Sequence, residues 1–228
     1  MNFTEPGQVR VKICGLTNEA DARMSIDAGA DALGFNFFQG SSRCVDPDTA
    51  IPWIRKLGAA AARVAVVVNP DEGLLVKLRD AGCFELIQFH GDESPEFCAR
   101  AGFARWIKAI RVKDDAALYA SLKYPTTHLL LDAWSGAAYG GTGKRLDWDL
   151  VRDFLLEHKD RQFILAGGLN VQNVRQAIRI SRPHAVDVAS GVELVPGKKE
   201  EYLVREFIHA VREFHPKSED LPHPPRPA

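Results

Sequence analysis

Two hydrophobic periods alternate along this chain. At the start, Val9, Val11 and Ile13 alternate with Arg10, Lys12 and Cys14, so a period of two places the two sets on opposite faces of a strand. Gly15 allows a sharp turn, and Thr17, as N-cap candidate ahead of Asn18-Glu19-Ala20-Asp21-Ala22, opens a helix over about 17–28. Further apolar runs at 32–38, 63–69, 84–90, 104–110, 128–132, 162–166 and 184–189 predict seven more strands. Between them lie helix patterns: Pro47 to about residue 57, a stretch ending at Ala81-Gly82, a start at Ser94-Pro95-Glu96, roughly 114–122, a start at Asn170, and 199–214. A long Gly-rich loop to Leu146 follows the sixth strand.

Eight strands alternating with helices in 228 residues predict a single-domain (β/α)8 barrel of the TIM type. An open doubly wound sheet is the alternative, but it seldom needs eight such regular repeats. With no composition break inside it, the barrel is expected over 9–214, after an N-terminal extension of 1–8. The last stretch, 215–228, carries five prolines and reads as a disordered tail.

Charge and cysteine content narrow the class. A formal net charge of −1 argues against a dedicated nucleic-acid binder, which carries a basic excess on some element. The four cysteines form no Cys-x-x-Cys pair and no zinc-finger spacing, so a metal site is not expected and free thiols point to a reducing compartment. The first residues lack the basic and apolar regions of a signal peptide, and no apolar run reaches membrane-spanning length. A cytoplasmic protein, away from membranes, is the expectation.

In such a barrel the chemistry sits at the carboxyl ends of the strands. The residues there are Cys14, Asn36 with the Arg43 loop, Asn69, His90, Asp132, Gly167-Gly168 and Ser190-Gly191. A thiol at a strand end facing a helix N-terminus suits reactive chemistry, although free cysteine is often a small buried hydrophobe. Gly140-Gly141-Thr142-Gly143, Gly167-Gly168 and Ser190-Gly191 follow the last three strands. Glycines there let backbone amides approach an anion, so Gly141, Thr142, Gly143, Gly167, Gly168, Ser190 and Gly191 are candidates for a substrate phosphate. Asp132 closes the apolar run Leu129-Leu130-Leu131, where desolvation favours a protonated acid. Arg43 offers a two-pronged grip for a substrate carboxylate, or is a solvated loop arginine. His90 reads as structural. Lys12 shares the face of Cys14, and Asp187 alternates with Val186 and Val188, so a Lys12–Asp187 ion pair is expected between the first and last strands.

These motifs together resemble one family. Lys12-Ile13-Cys14-Gly15-Leu16-Thr17, Gln88-Phe89-His90-Gly91, Leu130-Leu131-Asp132, Gly140-Gly141-Thr142-Gly143, Leu165-Ala166-Gly167-Gly168-Leu169 and Asp187-Val188-Ala189-Ser190-Gly191-Val192-Glu193 with Pro196-Gly197 are similar, in order, to phosphoribosylanthranilate isomerases of tryptophan biosynthesis. The resemblance runs from about residue 9 to 212. It implies an Amadori rearrangement without cofactor, with Asp132 as general acid on the furanose ring oxygen. It further implies Cys14 as general base at C2′ and Arg43 on the anthranilate carboxylate. The chemistry then calls for a thiolate Cys14 beside a protonated Asp132, the first favoured by a helix N-terminus.

Three places depart from the family pattern. Ser42 stands where the family has Pro, which leaves the Arg43 loop freer; Ala189 replaces a Ser; and Lys198-Lys199-Glu200 stands in place of Lys-Asp. The competing readings are a barrel of the aminoimidazole-ribotide isomerase type, which uses an Asp in place of the thiol, and a non-catalytic barrel that only binds a sugar phosphate. The expected partner is a small phosphorylated substrate, and the expected state is a monomer.

Overall fold

Strand β1 (Arg10–Cys14) is the seam where this fold closes: it pairs in parallel with β2 (Ala32–Asn36) on one side and with β8 (Ala185–Val188) on the other. The remaining strands are β3 (Ala62–Val67), β4 (Leu86–Phe89), β5 (Trp106–Val112), β6 (His128–Ala133) and β7 (Gln162–Leu165). All eight pair with their sequence neighbours in one closed barrel, which excludes the open sheet. The helices are α1 (Glu19–Asp27), α2 (Pro47–Ile54), α3 (Glu72–Asp80), α4 (Pro95–Arg100), α5 (Asp115–Ala120), α6 (Trp148–Glu157), α7 (Val174–Ser181) and α8 (Glu201–Arg212). The computed structural model describes residues 8–133 and 147–214. The N-terminal extension to residue 7, the Gly141-Thr142-Gly143 piece and the Pro-rich stretch 215–228 therefore lie outside the described residues.

Strand alternation sorts the side chains into two cores. One set, including Val11, Ile13, Leu33, Phe35, Ile87, Phe89, Leu129 and Leu131, packs outward against the helices. The other fills the barrel with mostly small residues: Ala32, Ala62, Val64, Val66, Leu86, Ile107, Ala109, Leu130, Ile164, Ala166 and Ala185, with Cys14 against them. Polar groups share that interior, notably Lys12 and Gln88, both with no exposed surface.

Several boundaries differ from expectation for identifiable reasons. Asn18, not Thr17, caps α1, its side chain accepting from the Asp21 amide, while the Thr17 hydroxyl donates to the Gly197 carbonyl at 2.6 Å. Helix α7 starts at Val174 rather than Asn170, because Asn170 and Asn173 exchange side-chain hydrogen bonds with each other's backbone amides. The side-chain Nδ2 of Asn173 donates to the Gly168 carbonyl, which fixes the turn after β7. An unexpected antiparallel hairpin, β9 (Glu193–Val195) with β10 (Lys198–Lys199), precedes α8. Its Pro196-Gly197 corner has Gly197 at φ +84°, where glycine carries no steric cost.

Candidate functional site

Cys14 ends β1 and faces the barrel interior together with Lys12 two residues before it. Gly34, beside Cys14 on β2, makes this possible: a Cβ there would lie 2.7 Å from the Cys14 sulfur and 3.0 Å from the Lys12 nitrogen. The Lys12 ammonium donates to Asp187 at 2.7 Å, the two strands running in register with Lys12 opposite Asp187. Burial alone would lower the pKa of Lys12, but Asp187 and the thiol beside it prevail and raise it, so the ammonium stays charged.

The same surroundings act on Cys14. Burial, seconded by Asp187, pushes the thiol above its usual value, while Lys12 and then Lys199 pull it down without prevailing. The lowering forces on the thiol include the two ammonium groups. The resting group is a thiol held next to cations that favour the thiolate once it forms.

Lys199, on the hairpin, has no exposed side-chain surface and joins three elements. Its ammonium donates to the Cys14 carbonyl at 2.6 Å, to the Ala189 carbonyl at 3.2 Å and to Glu193 at 2.8 Å. Burial lowers its pKa despite Glu193. Glu193 also takes Arg43 side-on: Nε at 2.9 Å and 3.1 Å from its two oxygens, and Nη2 at 2.6 Å from one of them. Burial would raise the pKa of Glu193, but Arg43 and Lys199 hold the carboxyl below its ordinary range. Arg43 is thus no solvated loop residue. Its side chain lies over Gly15, so close that a Cβ there would meet the Arg43 Cδ at 2.4 Å. The loop carrying Arg43 is tied as well, since the Ser41 hydroxyl accepts from the Arg43 amide at 3.1 Å.

Asp132 sits near the end of β6 and is 5% exposed. One carboxyl oxygen accepts from the Ala133 amide at 2.9 Å, and the other lies 3.3 Å from His90 Nε2. His90 therefore lies beside the candidate acid as well as beside a loop. Its other ring nitrogen is 2.9 Å from the amide nitrogen of buried Gln88. Outside the barrel, Glu93 braces the turn that carries His90. It accepts from the amides of Asn69 and Gly91 and pairs with buried Lys108 at 2.8 Å.

The glycine turns after β7 and β8 pack on each other. Gly167 and Gly168 both have positive φ, and a Cβ at Gly191 would strike the Leu169 carbonyl oxygen at 1.9 Å. Ser190 and Gly191 open a single 3-10 turn, Ser190–Val192. Around the rim the order is Asp132 on β6, Gly167-Gly168 after β7, Ser190-Gly191 after β8, Cys14 on β1 and Arg43 after β2. Sequence reading missed Glu193, Lys199 and Gln88. Gln88 was marked by its parity with His90, and the hairpin pair by Pro196-Gly197 between apolar and basic residues. Among the described residues, no three His, Cys, Asp or Glu side chains group to hold a metal ion, and no helix is long and apolar enough to cross a membrane.

Comparison with known proteins agrees with this geometry. A family model for N-(5'phosphoribosyl)anthranilate (PRA) isomerase matches residues 11–210. An N-(5'-phosphoribosyl)anthranilate isomerase of Pelobacter propionicus is 42% identical over 210 residues, 92% of this chain and 99% of its own. The crystal structure of the Thermotoga maritima phosphoribosyl anthranilate isomerase superposes with a TM-score of 0.81 at 37% identity, covering 90% of this chain and 98% of that one. A further solved isomerase, in complex with reduced 1-(o-carboxyphenylamino)-1-deoxyribulose 5-phosphate, superposes with a TM-score of 0.78 at 36% identity, with the same coverage of 90% and 98%.

Proposed function

The chain belongs to the N-(5'-phosphoribosyl)anthranilate isomerase family, and from that membership we propose that it converts N-(5'-phosphoribosyl)anthranilate to 1-(2-carboxyphenylamino)-1-deoxyribulose 5-phosphate in tryptophan biosynthesis. The observation that carries the reading is the order of groups around the barrel mouth. A thiol and a carboxyl stand on strands three places apart, β1 and β6, with two interlocked glycine turns between them.

That order suits one substrate pose. The phosphate is held by amides of Gly167, Gly168, Ser190 and Gly191. The ribose then spans from Asp132 to Cys14, and the anthranilate carboxylate reaches Arg43 next to β1. Asp132 gives its proton to the furanose ring oxygen as the C1′–O bond breaks, leaving an iminium at C1′. Cys14, once its thiol has released a proton to solvent, takes the C2′ proton as thiolate. The electron pair of that bond forms a C1′–C2′ double bond and neutralises the iminium nitrogen. The resulting enolamine tautomerises to the ketone, with no cofactor in the step. Lys12 and Lys199 supply the positive field in which the thiolate forms. Asp187 offsets part of it and keeps Lys12 paired.

Arg43 suits the carboxylate because Glu193 occupies only its Nε–Nη2 edge, so the Nη1–Nη2 edge remains for a second carboxylate. The four cysteines are all free, in keeping with action in a reducing cytoplasm. We further propose a monomer, which light scattering on the eluting protein checks by returning the mass of one chain.

The test is purified protein with freshly made N-(5'-phosphoribosyl)anthranilate, following loss of the substrate's fluorescence. Turnover well above spontaneous breakdown, with the ketose phosphate as product, is expected. Loss at the spontaneous rate overturns the reading.

A further inference from the structure

Gln88 is fully buried inside the barrel, on the inward face of β4, two residues before His90 at the strand's end, and among Val66, Ile107 and other apolar side chains. A carboxamide in such a place is costly unless its groups are used. Its nitrogen lies 2.9 Å from His90 Nδ1, but its oxygen has no partner among the described residues. His90 Nε2 is likewise without a formed hydrogen bond there, although the Asp132 carboxyl oxygen is only 3.3 Å away. A 3.3 Å approach with incomplete alignment is common for catalytic contacts before substrate binds.

The three groups form a line with a direction. The Gln88 amide N–H can only donate, so the Nδ1 it faces must present a lone pair. A ring with its lone pair on Nδ1 carries its single proton on Nε2, and that N–H points at Asp132. We propose that Gln88 is a positioning residue that fixes His90 as the Nε2–H tautomer, so that the imidazole donates to the Asp132 carboxyl. This rests on the reading of Asp132 as the general acid.

A neutral donor has a specific use at this place. When Asp132 releases its proton to the ring oxygen, the new carboxylate receives the Nε2–H bond in a dry site, which lowers the cost of its charge. An imidazolium would bind the carboxylate too strongly and oppose its reprotonation for the next cycle. By offering N–H rather than oxygen to Nδ1, Gln88 disfavours that charged ring. Glu93 and Lys108 act one layer further out, bracing the turn that aims His90.

The experiment is long-range proton–nitrogen NMR on the full chain labelled in histidine, with His90 among the seven histidines assigned from a His90→Gln variant. The wild-type ring is expected as a neutral imidazole protonated on Nε2. A signal for Nδ1–H or for imidazolium overturns the proposal. In Gln88→Met the ring is expected to populate both tautomers, and kcat to fall roughly tenfold, about the worth of one hydrogen bond, with KM within about twofold. Wild-type tautomer and kcat in that variant also overturn it. Asp132→Asn separates the two levels. If it is inactive while Gln88→Met is unaffected, only the positioning role fails; if Asp132→Asn itself keeps its rate, the acid reading fails.

Discussion

The Arg43 guanidinium lies side-on against the Glu193 carboxylate, 150 residues away in sequence, with Nη2 at 2.6 Å and Nε at 2.9 Å. This pair does what a proline before Arg43 would otherwise assist: it holds the side chain in one place at the rim beside Cys14. The guanidinium is pre-oriented, so the proposed grip on a substrate carboxylate costs less freedom.

Arg43→Lys is the variant that separates charge from shape. A lysine keeps the positive charge but cannot serve Glu193 and a second carboxylate with paired hydrogen bonds. The expected outcome is a rise in KM of roughly tenfold or more, matching about 1.5–3 kcal/mol for a charged hydrogen bond, with kcat less affected. Steady-state kinetics check it, and an unchanged KM would remove Arg43 from substrate binding.

Glu193 also ties the hairpin to acid stability. Its folded pKa lies below the ordinary carboxylate value through Arg43 and Lys199, which outweigh burial. Its contribution is therefore present above the unfolded pKa of about 4.3 and is lost as pH falls through the lower folded value. Denaturation measured from pH 6 down to about pH 3 should show a steeper loss in the wild type than in Glu193→Gln. Parallel curves would contradict the assignment.

The Lys12–Asp187 pair makes a prediction about folding. Lys12→Met leaves the Asp187 carboxylate, 9% exposed, without its partner. Breaking a buried pair by removing one member costs about 3–5 kcal/mol. Urea denaturation should show a loss of that order, and Lys12→Met with Asp187→Leu should recover part of it. A single variant as stable as the wild type would refute the pairing.

Because burial raises the Cys14 thiol while Lys12 and Lys199 only moderate it, the free enzyme holds mostly thiol at neutral pH. Iodoacetamide labelling of Cys14, read by mass spectrometry, should accelerate steadily from pH 7 to about pH 9, without the plateau of a thiolate formed below neutrality. A pH-independent rate over that range would place the thiolate in the resting enzyme.

Most of the fold was legible because each strand and helix carries its own period. Lys12 and Cys14 could be placed on one shared face from alternation alone, and Asp187 opposite Lys12 follows once β1 and β8 close the barrel. What escaped were contacts made by long side chains across loops. Thr17 reads as a cap by residue type, yet the turn at Gly197 claims its hydroxyl and Asn18 takes the cap. Lys199 and Glu193 look like loop or helix-start charges until the three-dimensional path brings them against Cys14. His90 could be placed at a strand end, but its approach to Asp132 depends on the curvature that carries β4 and β6 to the same mouth.

Under the proposed function, Cys14 and Asp132 carry the proton transfers at C2′ and the ring oxygen. Single-turnover and steady-state rates of Cys14→Ala and Asp132→Asn on N-(5'-phosphoribosyl)anthranilate test it most directly. Each is expected to lose about 10²–10⁴-fold in kcat, the worth of a general acid or base, with substrate still bound through the phosphate and Arg43. A near-wild-type rate in either variant would contradict the account.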